Sequence, residues 1–122
     1  GISKVYTLNS VSDPAISGTV TFAERKSGFT LVTVSLQGTT AGGNHPSHIH
    51  ANNAATTGPI VLDFTNINGA TGKSETHVTN LKDNTPITYA QLLAYNGYVN
   101  VHLSPTSLAT LIAQGNIGSN AP

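Results

Sequence analysis

The sequence predicts an all-β sandwich of about seven or eight strands with one short helix. Short segments of alternating or continuous apolar residues recur along the whole chain. Turn-forming residues separate these segments at regular spacing. The length of 122 residues predicts a single domain over residues 1–122, because a chain of this size buries roughly two-thirds of its unfolded surface without disulfides.

The first part of the chain predicts a strand followed by a β-hairpin. Residues 5–8 alternate weakly and form the first predicted strand. Residues 18–24 alternate clearly, residues 25–28 form a charged loop, and residues 29–36 return as the partner strand. In that partner strand, the alternate apolar residues at positions 32, 34 and 36 should face the core.

The second part predicts further strands and the helix. Residues 59–64 and 75–81 are each predicted to form a strand. Residues 88–93 begin with a capping threonine and contain good helix formers, and Asn96-Gly97 follows as a stop, so they predict the short helix. Residues 98–103 predict another strand, and residues 113–118 predict a last strand with a glycine bulge.

Three of the five histidines lie within six residues, His45-Pro46-Ser47-His48-Ile49-His50. On a strand, His48 and His50 would share one face and Ile49 would point into the core. Two imidazoles placed in this way can bind one metal ion. His102 ends a second apolar run and is predicted to be a third ligand.

The remaining histidines have open alternatives. His77 lies in a third strand and could be a fourth ligand, a residue that contacts a ligand, or merely exposed. His45 is interpreted as a residue that supports a ligand or anchors the loop, with ligation as the remaining alternative. Asp63 or Glu75 could orient an imidazole through its free ring N–H, but Asp63 could equally be a solvated strand residue. Residues 51–58 are expected to wrap past the site.

The composition limits both the metal and the partners. The chain has no cysteine and no methionine, so a transition metal must bind imidazole nitrogen, carboxylate or water. Copper, as Cu(II) or Cu(I), is the first choice and zinc the second; acidic residues do not cluster, which argues against calcium and magnesium. Only 8% of residues are charged and the net charge is zero, which argues against nucleic-acid binding. No apolar run approaches the length of a membrane span.

Several segments together resemble the CHRD domain, the module named for chordin. They are residues 45–50, residues 58–64, Gln91-Leu92-Leu93 and Tyr98-Val99-Asn100-Val101-His102. The resemblance covers nearly the whole chain. The family usually ends in a Gly-Glu-Ile-Arg-Gly-type strand, whereas Gln114-Gly115-Asn116-Ile117-Gly118 lacks the acid and the arginine. The family is common in bacterial exported proteins, so the resemblance implies a periplasmic or extracellular location, with a lipid anchor upstream of this chain as one option.

A more distant similarity is to copper-zinc superoxide dismutase, and it implies an Ig-like or dismutase-like Greek-key β-sandwich. In that family a hairpin leads into a His-x-x-His-x-His stretch, whose two strand histidines bind copper and match His48 and His50. The histidine that matches His45 is structural there. A later copper ligand that ends a Val-Val-His run matches His102.

The dismutase pattern is incomplete in this chain. A zinc-binding histidine followed by Val-Gly-Asp-Leu resembles the run that begins at His77, but Asn80 replaces the aspartate that binds zinc. No counterpart is found for the histidine that bridges the two metals. The sole arginine, Arg25, lies in the first hairpin and not near the C-terminus, where the family guides superoxide.

Three functions therefore remain open. The first is a copper-binding module of the cell envelope or exterior, for storage, delivery or tolerance, with another copper protein as a partner. The second is a superoxide-dismutase-like redox enzyme, which the missing arginine disfavours. The third is an adhesion or interaction domain without metal, which the density of histidines disfavours.

Overall fold

A computed structural model describes residues 2–121 and contains ten strands and one helix within them. The all-β class is confirmed, but the strand number exceeds the predicted seven or eight. Two of the extra strands, Asn44–His45 and Ile67–Asn68, have only two residues each. The elements are β1 (Ser3–Ser10), β2 (Ser17–Glu24), β3 (Thr30–Gln37), β4 (Asn44–His45), β5 (Ser47–Ala51), β6 (Ile60–Asp63), β7 (Ile67–Asn68), β8 (Lys73–Val78), α1 (Tyr89–Leu93), β9 (Asn96–His102) and β10 (Leu111–Gly118).

The strands form one curled antiparallel sheet in the order β4-β7-β8-β3-β2-β1-β10-β9-β5-β6. Strand β1 joins its two halves, because it pairs with β2 over most of its length and with β10 through Asn9 and Ser10. The predicted hairpin is formed by β2 and β3. They pair in continuous register, from Ser17 opposite Gln37 at one end to Glu24 opposite Thr30 at the other.

The curled sheet encloses one apolar core to which both halves contribute. Val32 and Val34 face it from β3, as the alternation predicted, and both are fully buried. Ile49 and Val99, from β5 and β9, face it from the other half and are also fully buried. The inward face of β5 is therefore fixed by the core, which leaves its other face for the histidines.

The short helix forms where the sequence predicted it. The Thr88 side chain accepts a hydrogen bond from the backbone N–H of Gln91, and the Gln91 side chain accepts one from the backbone N–H of Thr88. This reciprocal cap satisfies two N–H groups that the first turn leaves free. Leu92 is fully buried and holds the helix against the core.

The histidine-rich stretch crosses from one half of the sheet to the other. Pro46 separates β4, which pairs with β7, from β5, which pairs with β6 and β9. Proline has no backbone N–H to donate to a ladder, so the strand pairing changes partner there. His45 consequently lies on one half, and His48 and His50 lie on the other.

The last strand differs from the sequence prediction at its start. It begins at Leu111, and its irregularity in pairing with β9 lies between Leu111 and Ala113 rather than at a glycine. Gly115 instead allows close approach to β1, since a Cβ there would lie 2.0 Å from the Thr7 carbonyl oxygen. The predicted glycine bulge is therefore wrong: the glycine permits strand contact, and the extra residue is Ile112.

Candidate metal centre

His48 and His50 project from the outer face of β5. Their cross-strand partners on β9 are Asn100 and Tyr98, respectively, and paired residues lie on the same face of a sheet. Both histidine rings are partly buried, and their centroids are 6.0 Å apart. The period-2 placement predicted from the sequence is therefore present.

His102 joins this pair at the end of β9. Its backbone N–H donates to the Pro46 carbonyl at 2.9 Å, which continues the β5–β9 pairing past the ladder. One ring nitrogen of each of His48, His50 and His102 lies within 4.8 Å of those of the other two. Two nitrogens on opposite sides of a zinc-sized ion are about 4.0–4.2 Å apart, so small side-chain movements bring all three nitrogens onto one ion.

Backbone carbonyls fix the protonated nitrogen of two of these rings. Nδ1 of His50 lies 2.8 Å from the Gly58 oxygen, and Nδ1 of His102 lies 2.7 Å from the Leu108 oxygen. A carbonyl oxygen can only accept, so each Nδ1 carries the proton and each Nε2 keeps its lone pair. Metal ligation by His50 and His102 would therefore use Nε2.

His48 is oriented differently. Its Nδ1 lies 3.2 Å from Nε2 of His102, and its Nε2 lies 3.6 Å from Oδ1 of Asp63. Because Nδ1 faces the other ligand rings, it is the nitrogen that His48 would offer to a metal. The three rings would then contribute one Nδ1 and two Nε2 atoms.

The electrostatics of the centre favour neutral imidazoles. Burial lowers the pKa of His48, and the neighbouring His102 lowers it further, while Asp63 acts in the opposite direction. Burial also lowers the pKa of His102, partly offset by its hydrogen bond to Leu108. A metal ligand must be unprotonated, so these shifts keep His48 and His102 ready to bind at neutral pH.

Gly58 and Tyr98 hold His50 in place. The Tyr98 ring stacks on the His50 ring with centroids 5.0 Å apart, and its hydroxyl accepts from the Gly58 N–H at 3.1 Å. Gly58 thus contacts both aromatic side chains through its backbone. A Cβ at Gly58 would lie 2.1 Å from the Ala51 carbonyl oxygen, so this approach requires glycine. The segment 51–58 does pass the site, as the sequence predicted.

His45 does not belong to the three-histidine group, and it contacts the chain directly after His102. Its side chain is buried, and its Nδ1 donates to the Leu103 carbonyl at 2.8 Å. This hydrogen bond links β4 to the residue that follows His102. That His45 supports a ligand stays a prediction.

His77 lies away from the group. It is exposed on β8, opposite Leu31 of β3, and its ring stacks on Phe29 with centroids 4.3 Å apart. Glu75 lies on the same strand and is also exposed. The structure therefore brings neither the predicted fourth ligand nor Glu75 to the other histidines, whereas Asp63 does lie beside His48.

The residues that sequence reasoning missed act mainly through their backbones. The carbonyls of Gly58, Leu103 and Leu108 orient three histidines, and a carbonyl leaves no side-chain signal in a sequence. Tyr98 lies in an apolar run, which gives no sign of a role at the site. Its position opposite His50 became visible only once the β5–β9 register was known.

The donor set fits a transition-metal ion. Nε2 of His50 is buried and has no hydrogen-bond partner among residues 2–121, although buried polar atoms are rarely left unpaired. Its lone pair faces a cluster that offers two further imidazole nitrogens. A bound metal ion would pair that atom, and it would leave room for an exchangeable ligand because only three protein nitrogens are supplied.

An antiparallel all-β fold with a cluster of three histidines on one outer face defines a β-domain with a candidate metal centre. Comparison with protein families matches residues 5–106 to the CHRD domain, an extracellular-type β-domain, and the chain belongs to this family. No curated protein matched the chain. Within residues 2–121, no helix is long and apolar enough to cross a membrane.

Proposed function

We propose that this CHRD domain is a copper-binding module of the cell envelope or exterior. The observation that carries the proposal is the convergence of His48, His50 and His102, with two of the rings locked by backbone carbonyls so that Nε2 is free. Such preset tautomers lower the cost of binding, because neither of these two rings must shift its proton when the ion arrives. His77 does not enter this proposal.

Copper suits this donor set better than the alternatives. Imidazole binds Cu and Zn well, and at a given nitrogen site copper has the higher affinity. The group contains no carboxylate or sulfur ligand, so neither a hard ion such as calcium nor a closed four-ligand zinc site is favoured. Three imidazole nitrogens can hold Cu(I) and can hold Cu(II) with an added water, so the site supports uptake and release.

Storage, delivery or tolerance fits this domain better than rapid catalysis. The centre lies on the outer sheet face and His48 keeps 15% of its side chain exposed, so a partner copper protein in the periplasm or outside the cell could reach it. The extracellular type of the family supports this proposal, because copper could be exchanged with partner proteins outside the cytoplasm. This assignment leaves dismutation of superoxide as the second candidate.

The charges around the centre argue against an efficient dismutase. Lys82 is the cation whose charge acts on His48. Its Nζ is paired with Oδ2 of Asp63 at 3.2 Å. The pair leaves little net positive charge to attract an anion. We expect the copper-loaded protein to dismutate superoxide weakly. A rate near the diffusion limit that falls steeply with added salt would instead favour the enzyme.

The proposal is tested by titrating metal-free protein with Cu(I), Cu(II) and Zn(II). We expect one tight copper site per chain, with nitrogen coupling in the Cu(II) electron paramagnetic resonance spectrum. Tyrosine emission should also fall with Cu(II), because Tyr98 stacks on His50 and the chain has no tryptophan. A triple variant with alanine at His48, His50 and His102 should lose the site. If that variant binds one copper as tightly as the parent, the site lies elsewhere and the proposal is wrong. If the parent binds no copper, an interaction domain without a metal becomes the better description.

A further inference from the structure

A carboxylate lies directly beside the ligand ring whose protonation no carbonyl fixes. Asp63 is the cross-strand partner of His48 in the β5–β6 pair, so both side chains project from the same face. Its Oδ1 lies 3.6 Å from Nε2 of His48. A movement of less than about 1 Å would bring these atoms to hydrogen-bond distance.

The His48 ring has two competing partners for its single proton. Nε2 of His102 is an acceptor, because Nδ1 of His102 carries the proton and donates to the Leu108 carbonyl. This Nε2 atom lies 3.2 Å from Nδ1 of His48. If His48 carries its proton on Nδ1, the two rings bond to each other and the metal position is closed. If the proton is on Nε2, it faces Asp63 and the Nδ1 lone pair joins the free nitrogens of His50 and His102.

Asp63 is itself held in position by the segment that precedes the helix. The backbone N–H of Lys82 donates to the Val61 carbonyl at 2.8 Å, which fixes this segment against β6. The Lys82 ammonium then lies 3.4 Å from Oδ1 and 3.2 Å from Oδ2 of Asp63. Both side chains are more than half exposed, so their pairing serves orientation more than stability.

We infer that Asp63 is a positioning residue for metal binding, because it accepts the His48 proton at Nε2 and so frees Nδ1 from its 3.2 Å bond to His102 for the ion. The inference rests on the proposed copper site and explains how its third ring is made ready. His50 and His102 are set by rigid carbonyls, whereas His48 is set by a charged side chain at the protein surface. Asp63 does not contact the ion.

The test compares Asp63→Ala with Glu75→Ala, which removes an exposed carboxylate from a different strand. Long-range proton–nitrogen spectra of ¹⁵N-labelled, metal-free protein report which ring nitrogen of His48 is protonated. Chelator competition gives the copper affinity of the same samples. In the parent and in Glu75→Ala we expect the proton to exchange between Nδ1, where it bonds to His102, and Nε2, where Asp63 accepts it. In Asp63→Ala we expect it on Nδ1 alone, with copper affinity lower by roughly 10–100-fold.

Two results would overturn the inference. One is an Asp63→Ala protein that binds copper within about threefold of the parent. The other is weakened binding with the His48 proton still shared between Nδ1 and Nε2, which would make Asp63 a merely structural residue. Failure of the parent protein to bind copper is a separate result, because it refutes the proposed function before the variant is considered. The tautomer measurement needs no metal, so it remains informative in that case.

Discussion

The carbonyl of Gly58 should control metal affinity although glycine has no side chain. In Gly58→Ala, the added Cβ would start 2.1 Å from the Ala51 carbonyl oxygen and 2.9 Å from Nδ2 of Asn52. Ordinary contacts of this kind lie near about 3.5 Å, so the backbone must move by more than about 1 Å. Such a movement breaks the 2.8 Å hydrogen bond from Nδ1 of His50 and the 3.1 Å bond to the Tyr98 hydroxyl.

Two effects of different size follow from that movement. Loss of the residue that orients a ligand histidine typically lowers metal affinity by roughly 10–100-fold. Forcing a methyl group into a packed site costs about 1–3 kcal/mol of stability. Chelator competition with Cu(I) measures the first quantity, and urea unfolding of metal-free protein measures the second.

Gly28→Ala provides the matched control. Gly28 has φ of 92° in the β2–β3 loop and nothing within 4 Å of an added Cβ, so alanine there costs about 1–2 kcal/mol through backbone strain alone. We expect this variant to lose stability and to keep the copper affinity of the parent. If folded Gly58→Ala binds copper as tightly as Gly28→Ala does, the Gly58 carbonyl does not set the orientation of His50.

Three further outcomes are expected. His77→Ala should leave the copper affinity unchanged in chelator competition, because its ring stacks on Phe29 outside the three-histidine group; a loss of tenfold or more would reinstate it as a ligand. His45→Ala should weaken binding by roughly 10–100-fold, since it removes a support of His102, whereas His102→Ala should lower affinity by orders of magnitude. The unfolding free energy of metal-free protein should fall as pH drops below about 6.5, because the pKa values of His48 and His102 are lowered in the folded state, so the unfolded chain binds more protons. Urea titrations across that range would show a flat profile if the two rings were unperturbed.

The alternating pattern and the core determined what could be predicted of the fold. In β3 the apolar residues alternate, and Val32, Val34 and Leu36 are buried as expected. Thr88 and Gln91 predicted the helix because a cap depends on residues only three apart. The two-residue strands β4 and β7 could not be predicted, since two residues show no alternation and β4 pairs with β7 across a long stretch of sequence.

The candidate site could likewise be predicted as far as local sequence patterns reach, but not where it depends on which strands pair. His48 and His50 share a face because of the two-residue period, and Ile49 between them is fully buried. The pairing of β5 with β9, which brings His102 beside them, does not follow from that period. The similarity to known families indicated His102 as a ligand without giving this register. His77 also lies in a predicted strand and also matches a metal-binding histidine of the dismutase family. Its strand, however, pairs with β3 in the other half of the sheet. Local pattern gives the face of a strand, but it does not give the neighbours of that strand.

In this domain the residues that stabilise the fold differ from those that should set the metal affinity. The strands place the ligand rings, and their inward residues, such as Ile49 and Val99, would resist change because they are fully buried. The proton positions of the rings depend on Gly58 and Leu108, which lie in connecting segments, and on Asp63 at the end of an edge strand. Substitutions at these three positions can change a Kd while the core remains intact. If the proposed copper site is correct, the three histidines are therefore not sufficient for tight binding, because the residues that set their proton positions must be present as well.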